Sequence, residues 1–198
     1  TTAENIVTGT VDAYIYESTS ITSAMGVTVS AADTSTIDAT IAAFAASAGA
    51  ISLAVGVTLA NNEIGNSVSA YVSNSSVTAN GGNISITAAS TPSITTTNVV
   101  GAVSFGIGVS GAGGYSRSLI HGTTETYVSE SSLIAPNRTV TLSSNSTSNA
   151  SPTITGLSGG LAAVAAMVSE TTVEGITRSY IDGKTSVQAS RMDVRATD

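Results

Sequence analysis

The chain has 198 residues, a net charge of −7 at pH 7 and no cysteine, which excludes disulfides, thiolate metal sites and a cysteine nucleophile. Only 10% of its residues are charged and 4% aromatic, with no tryptophan, so the core is built from Val, Ile, Leu and Ala, and Ser, Thr and Asn replace the usual quarter of charged residues. Every basic residue, from Arg117 to Arg195, lies after position 116, and the acidic, base-free first half repels phosphate backbones, which argues against a nucleic-acid partner.

The opening "TTAENIVTG" has neither a charged leader nor an apolar segment of the secretory type. The chain is therefore expected to be a stretch of a longer protein. At Ala13 begins "AYIYESTSITSAMGVTVSAA", and three related stretches follow: "AYVSNSSVTANGGNISITAA" from Ala70, "TYVSESSLIAPNRTVTLSSN" from Thr126 and "SYIDGKTSVQASRMDVRATD" from Ser179. Their anchor tyrosines, Tyr14, Tyr71, Tyr127 and Tyr180, are separated by 57, 56 and 53 positions. A period of about 55 residues marks a repeat array, here one elongated array with approximate units 1–60, 61–115, 116–169 and a partial unit 170–198.

Each module reads as strand–turn–strand. The tyrosine sets the register, Asn80-Gly81-Gly82-Asn83 makes the turn, and Ile84 and Ile86 alternate with polar residues and enter the core. The fourth copy is one residue shorter, so Met192 and Val194 take the places of Ile84 and Ile86.

Between the first two modules lies Ile41–Ala60, 20 residues without a charge, long enough for a membrane helix. Ile51, Leu53, Val55, Val57 and Leu59 alternate strictly with small residues, however, as do Val103, Phe105, Ile107 and Val109 in the next copy. That is a strand pattern, and no basic residues flank it, so no membrane span is expected. The bulky residues are expected in the core and the small ones against a neighbouring layer. The third copy, Leu161–Val168, alternates less regularly.

Chemistry-bearing motifs are thin. Gly106–Gly111, "GIGVSG", has dinucleotide-loop spacing but falls inside an alternating strand with no helix to follow. His121, the single histidine, reads as a solvated turn residue beside Gly122. Carboxylates such as Asp33, Glu63 and Glu125 occur singly, and the turn at Asn80 lacks the Asp of calcium-binding repeats. No catalytic, cofactor-binding or metal-ligating residue is assigned, and no cofactor or enzyme activity is expected.

The unit formed by Tyr71-Val72, Val77, Gly81-Gly82 and Ile84-Ser-Ile86, followed by an alternating Gly/Ala/Val strand, resembles the repeats of filamentous-haemagglutinin-like, two-partner-secreted surface adhesins of Gram-negative bacteria. The resemblance covers essentially the whole chain and is clearest over Ala70–Thr124. It implies an all-β solenoid, a right-handed parallel β-helix, at the cell surface or outside the cell. Stacked antiparallel hairpins of β-prism type are the alternative, since the same tight turns close hairpins. The function expected is that of a structural or adhesive segment, a rigid stalk or multivalent fibre. Its partners would be adjacent repeats or copies of itself, and host-cell or matrix glycans and proteins. A self-assembling sheath and a carbohydrate-binding or carbohydrate-processing β-helix are the competing readings.

Overall fold

The computed structural model describes residues 1–198 as strands and turns with no helix. The strands are β1 (Thr2–Tyr16), β2 (Ile21–Ser23), β3 (Val27–Asp33), β4 (Thr36–Ser73), β5 (Ser76–Ala79), β6 (Ile84–Ser90), β7 (Ser93–Ser129), β8 (Ser132–Ser146), β9 (Asn149–Gly159), β10 (Ala162–Val173), β11 (Ile176–Asp182) and β12 (Ser186–Thr197). Every ladder between them is parallel. The chain is thus a parallel β-helix, and stacked antiparallel hairpins are ruled out. Thr2 lies beside Leu59, Thr36 beside Ser93, Ser93 beside Asn149 and Val109 beside Ala162. One coil is therefore one whole repeat. The strands form two sheets, β1-β4-β7-β10 with β9 and β11 also on β7, and β2-β5-β8-β6-β3 with β12 on β8.

The coil turns a corner just after each anchor tyrosine, and the local sequence explains how. Glu17, Asn74 and Glu130 adopt left-handed backbone angles (φ of 50°, 48° and 47°), and in the last coil Gly183 does so with φ of 63°. Directly after the first three stand Ser18, Ser75 and Ser131; Thr185 follows Gly183 by two. The Ser75 hydroxyl donates to the Ser73 carbonyl (2.7 Å) and accepts from the Ser18 amide (3.0 Å). Ser131 likewise donates to Ser129 and accepts from the Ser75 amide (3.1 Å). The hydroxyls of Ser75 and Ser131 therefore each fix their own turn and bond the coil before, the turn-stabilising chemistry of serine repeated along the stack.

The main core is built by residues on both sides of this corner. Val68, Val72, Val77, Ile84, Ile86, Val128, Leu133, Val140 and Leu142 are fully buried in one cluster. Ile86 stacks between Val29 and Leu142, with Ile84 in the adjoining column between Val27 and Val140. Met192 and Val194 pair with Val140 and Leu142, the expected places. The turn Asn80–Asn83 separates β5 from β6. Gly81 and Gly82 are required there by close approach and not by a left-handed angle. A Cβ on Gly82 would lie 2.7 Å from Cα of Gly26 in the neighbouring coil, and one on Gly81 would strike the Ala24 carbonyl oxygen.

The remainder of each coil forms a thin lobe. Beyond Thr36 the chain runs outward, shifts register between Gly49 and Ile51, and returns to the Asp33–Ser35 corner, where the Asn66 amide donates to both Asp33 Oδ2 and Ser35 Oγ at 2.8 Å. The next coil turns at Gly106, whose φ of 100° suits glycine. The third turns between β9 and β10 at Gly160-Leu161.

Here the structure reverses the sequence expectation. Ser52, Ala54, Thr58 and Ala60 are buried, whereas Ile51 is 90% exposed and Leu53 68%. The cause is the spacing of the two limbs. A Cβ on Gly56 would lie 2.6 Å from the Gly101 carbonyl oxygen and 3.2 Å from Val100 Cγ2 on the opposite limb. Side chains normally hold facing sheets ~10 Å apart; along this narrow stretch of the return limb the inward positions 52, 54, 56, 58 and 60 are Ser, Ala, Gly, Thr and Ala. No second layer covers the outside, so the bulky residues face solvent.

Candidate functional site

Because the coils stack in register, each surface position repeats as a row along the axis, and three rows carry the chemistry. The first is aromatic. Tyr14, Tyr71, Tyr127 and Tyr180 pair residue for residue and form a continuous stack. Their centroids are 5.2, 4.6 and 5.4 Å apart, with interplanar angles of 12°, 5° and 13°. Arg178 lies over the Tyr180 ring at 5.5 Å. The hydroxyls of Tyr71, Tyr127 and Tyr180 resist ionisation. Burial, then neighbouring Tyr71 and Glu125, pushes Tyr127 up to about 12. Tyr71 is raised by burial and by Asp12, and Tyr180 by burial and by Glu125. Most ring faces are covered by other rings, so the ladder offers solvent its edges and no flat platform for a sugar.

The second row is charged. Arg178 Nε donates to Glu125 Oε2 (2.7 Å), which holds the guanidinium pKa above its ordinary value. The Tyr115 hydroxyl donates to Glu170 (2.7 Å), raising the Tyr115 pKa. Asn61 donates to Glu4 (3.1 Å) and accepts from Arg117 (3.4 Å). His121 Nε2 and Glu63 Oε1 meet at 3.0 Å. These contacts join one coil to the next. His121 sits within strand β7 and not in a turn, and no nucleophile completes a triad around it. No group of three or more His, Asp or Glu side chains is placed to hold a metal. Gly106–Gly111 spans the lobe tip and the start of its return limb, with no helix after it.

The third surface, which sequence reasoning placed indoors, is apolar. On the return limb Ile51, Leu53, Val55, Val57 and Leu59 stand beside Ile107, Val109, Gly111, Gly113 and Tyr115. Below these, Val109, Gly111, Gly113 and Tyr115 pair with Ala162, Val164, Ala166 and Val168. On the outbound limb Phe44 covers Gly101 from outside and is itself 71% exposed. No charged residue occurs between Glu63 and Arg117, so the lobe of the middle coil is uncharged throughout. Its lining, by contrast, is partly polar: Asn62 donates to Thr96 (2.7 Å) and Asn98 to the Tyr115 carbonyl (3.0 Å). The hydroxyls of Thr58, Ser110, Ser116 and Ser118 are buried without a protein partner. The lobe interior thus mixes polar groups with buried aliphatic residues such as Ile64, Ile94 and Val100, while the outer face of its return limb is apolar.

Two open grooves are of similar size: one of about 490 Å³ is lined by Glu4, Asn5, Ile6, Val7, Thr36, Ile37 and Asp38, and one of about 440 Å³ by Thr8, Thr10, Asn66, Ser67, His121 and Thr123 with intervening glycines. The second contains one histidine and no carboxylate, and so lacks the paired acids of glycoside chemistry. No helix is long and apolar enough to cross a membrane. Comparison with known proteins gives no match: no family model, no curated sequence and no solved structure aligns with the chain.

Proposed function

We propose that this chain is a structural segment of an extracellular, cell-surface protein of the filamentous-adhesin kind, acting as a multivalent fibre. The observation that carries the reading is the in-register stacking of one 57-residue coil on the next, seen at Thr2–Leu59 and Thr36–Ser93. Each coil step advances about 4.8 Å, the spacing between neighbouring strands. All 198 residues therefore advance only about 15 Å. A wide coil is an inefficient spacer and an efficient way to lay identical rows along a broad surface. That geometry favours the fibre over the stalk among the two forms the sequence suggests.

The binding strength of such a surface comes from repetition: many weak, equivalent contacts to glycans or matrix proteins engage together. The test is to immobilise arrays of one, two and four tandem copies and measure retention on cells and on glycan-coated surfaces. Retention should rise more steeply than copy number. A single copy that saturates one tight site, or retention strictly proportional to copy number, would overturn the reading. The location is tested separately by antibody labelling of intact producing cells, where absence of surface signal refutes it.

A further inference from the structure

We propose that the outer face of the lobe's return limb is an interface for a second copy of this chain, pairing two β-helices side by side. Nine large aliphatic residues on this face, among them Ile51, Leu53, Val55, Ile107 and Val164, are between 43% and 90% exposed. At roughly 180 Å² of surface for an extended Val, Leu or Ile, the patch they form measures about 1,000 Å², above the ~300–600 Å² of the largest patch on an ordinary monomer. A standard stable interface buries about 800 Å² on each partner. One face therefore supplies enough area for a dimer by itself.

The shape suits a sheet-on-sheet contact. The face belongs to a single parallel ladder, so its side chains stand in level rows. The middle row is hollow: a Cβ built on Gly111 would meet nothing within 4 Å, and one on Gly113 only Val57 Cγ2 at 3.9 Å. The hollow lies between Val55 and Val57 on one side and Val164 on the other, and accepts an aliphatic knob from a facing sheet. A two-fold axis satisfies both copies with the same patch. Further coils added along the axis would lengthen the face without covering it.

A lipid phase is the other apolar occupant, and the lobe fits it poorly. The ladder between β7 and the third coil stops at Val103–Gly159 and resumes at Val109–Ala162, leaving the tip backbone of residues 104–108 unpaired on that side. Unpaired backbone at the deepest point is what hydrocarbon does not tolerate. A second sheet covers the limb and leaves the tip in water.

This pairing goes beyond the fibre reading and stands or falls separately, since it is tested on one chain in solution. Sedimentation and light scattering of the 198-residue chain from 1 to 200 μM should show reversible dimerisation. The pair Leu53→Glu and Val164→Glu should weaken it at least 100-fold with an unchanged β-sheet circular dichroism spectrum. If those charges disturb folding, Leu53→Thr with Val164→Thr gives the same test more gently and should weaken the dimer at least 10-fold. The control pair Thr22→Glu and Thr28→Glu, on the other sheet, should leave association unchanged. A wild-type chain that stays monomeric across the range overturns the proposal. So does equal loss in the control pair, or a monomer that binds phosphatidylcholine vesicles through Leu53 and Val164.

Discussion

Two neighbouring substitutions on the return limb decide whether the lobe is built with its small residues inside. Ala54 is 3% exposed and packs in one cluster with Val100, Ala102 and Ala112. Ala54→Leu adds three carbons to a gap so narrow that Gly56, two residues on, has no room for a Cβ. Overpacking of a filled interior costs about 1–3 kcal/mol, and with backbone on the opposing limb unable to yield, the upper half of that range, about 2–3 kcal/mol, is expected. At about 2–4 °C per kcal/mol for a chain of this size, the melting temperature should fall by roughly 4–12 °C. Leu53→Ala is the counterpart. Its side chain is only about a third buried, so of the ~2.5 kcal/mol that full burial of a leucine is worth, less than about 1 kcal/mol is at stake.

The measurement is thermal and urea denaturation followed by circular dichroism, below 1 μM so that association through the same face adds nothing to apparent stability. If the bulky residues formed the core, the order would invert: Leu53→Ala would cost about 2–5 kcal/mol, as large-to-small core changes do, and Ala54→Leu would be nearly neutral. That inversion would refute the assignment of the two faces.

Further substitutions test the stack itself. Ile86→Ala, fully buried between Val29 and Leu142, should cost about 3–4 kcal/mol, whereas Val194→Ala in the last coil, 44% exposed, should cost under about 1 kcal/mol in the same urea titrations. Gly82→Ala places a methyl 2.7 Å from Gly26 Cα and should destabilise by about 2 kcal/mol or more, while Gly111→Ala, with open space around it, should be neutral or stabilising by up to about 1 kcal/mol. The tyrosine ladder predicts an alkaline transition. Tyr127 is raised from 10.0 to about 12 in the folded chain, so between those values the unfolded state loses its proton first. The stabilisation is complete below pH 10 and is lost as pH rises towards 12. Absorbance of tyrosinate at alkaline pH should lag behind free tyrosine, and Tyr127→Phe should shift the alkaline unfolding midpoint upward; coincident titration of all tyrosines at the ordinary value would contradict the ladder.

Much of this fold was legible because a parallel stack copies sequence spacing into space. The tyrosines are 57, 56 and 53 residues apart in the chain, and Tyr14, Tyr71, Tyr127 and Tyr180 are direct neighbours in the ladder. Ile84 and Ile86 show period-two alternation beside a glycine turn, and both are fully buried. The size of the coil was harder. Strand-like alternation says that a segment is extended but not how far it runs before a corner, and the 38-residue β4 passes through a register shift that only Gly49 hints at. The interior contacts of the lobe, such as Asn62 with Thr96, join residues 34 apart within one coil, a distance unrelated to the repeat period. The corner serines were overlooked because Ser is so common here; their signal is a fixed place, in three of the four copies directly after a left-handed residue that follows the tyrosine module.

The face that sequence reasoning misassigned carried its own correction. Alternation divides a strand into two faces without saying which is inside, and hydrophobicity is the usual guide. Parity is a better one where the strand is unbroken. From Val72 back to Ser52 the register against β7 shows no shift, so side chains at even positions share one face throughout. Val72, Val68 and Ile64 on that face are fully buried. Counting back by twos from Ile64 gives Asn62, Ala60, Thr58, Gly56, Ala54 and Ser52, all inward, and puts Leu59, Val57, Val55, Leu53 and Ile51 on the same side as Tyr71. A bulge would be needed to bring the aliphatic residues indoors, and each row of the ladder would have to share it. Placing hydrophobic side chains outside is therefore cheaper for the isolated chain than breaking register in every coil, and the apolar face that results is a consequence of the stack's own geometry. A covering partner turns that consequence into binding energy, which is why the charge substitutions at Leu53 and Val164 should separate association from folding.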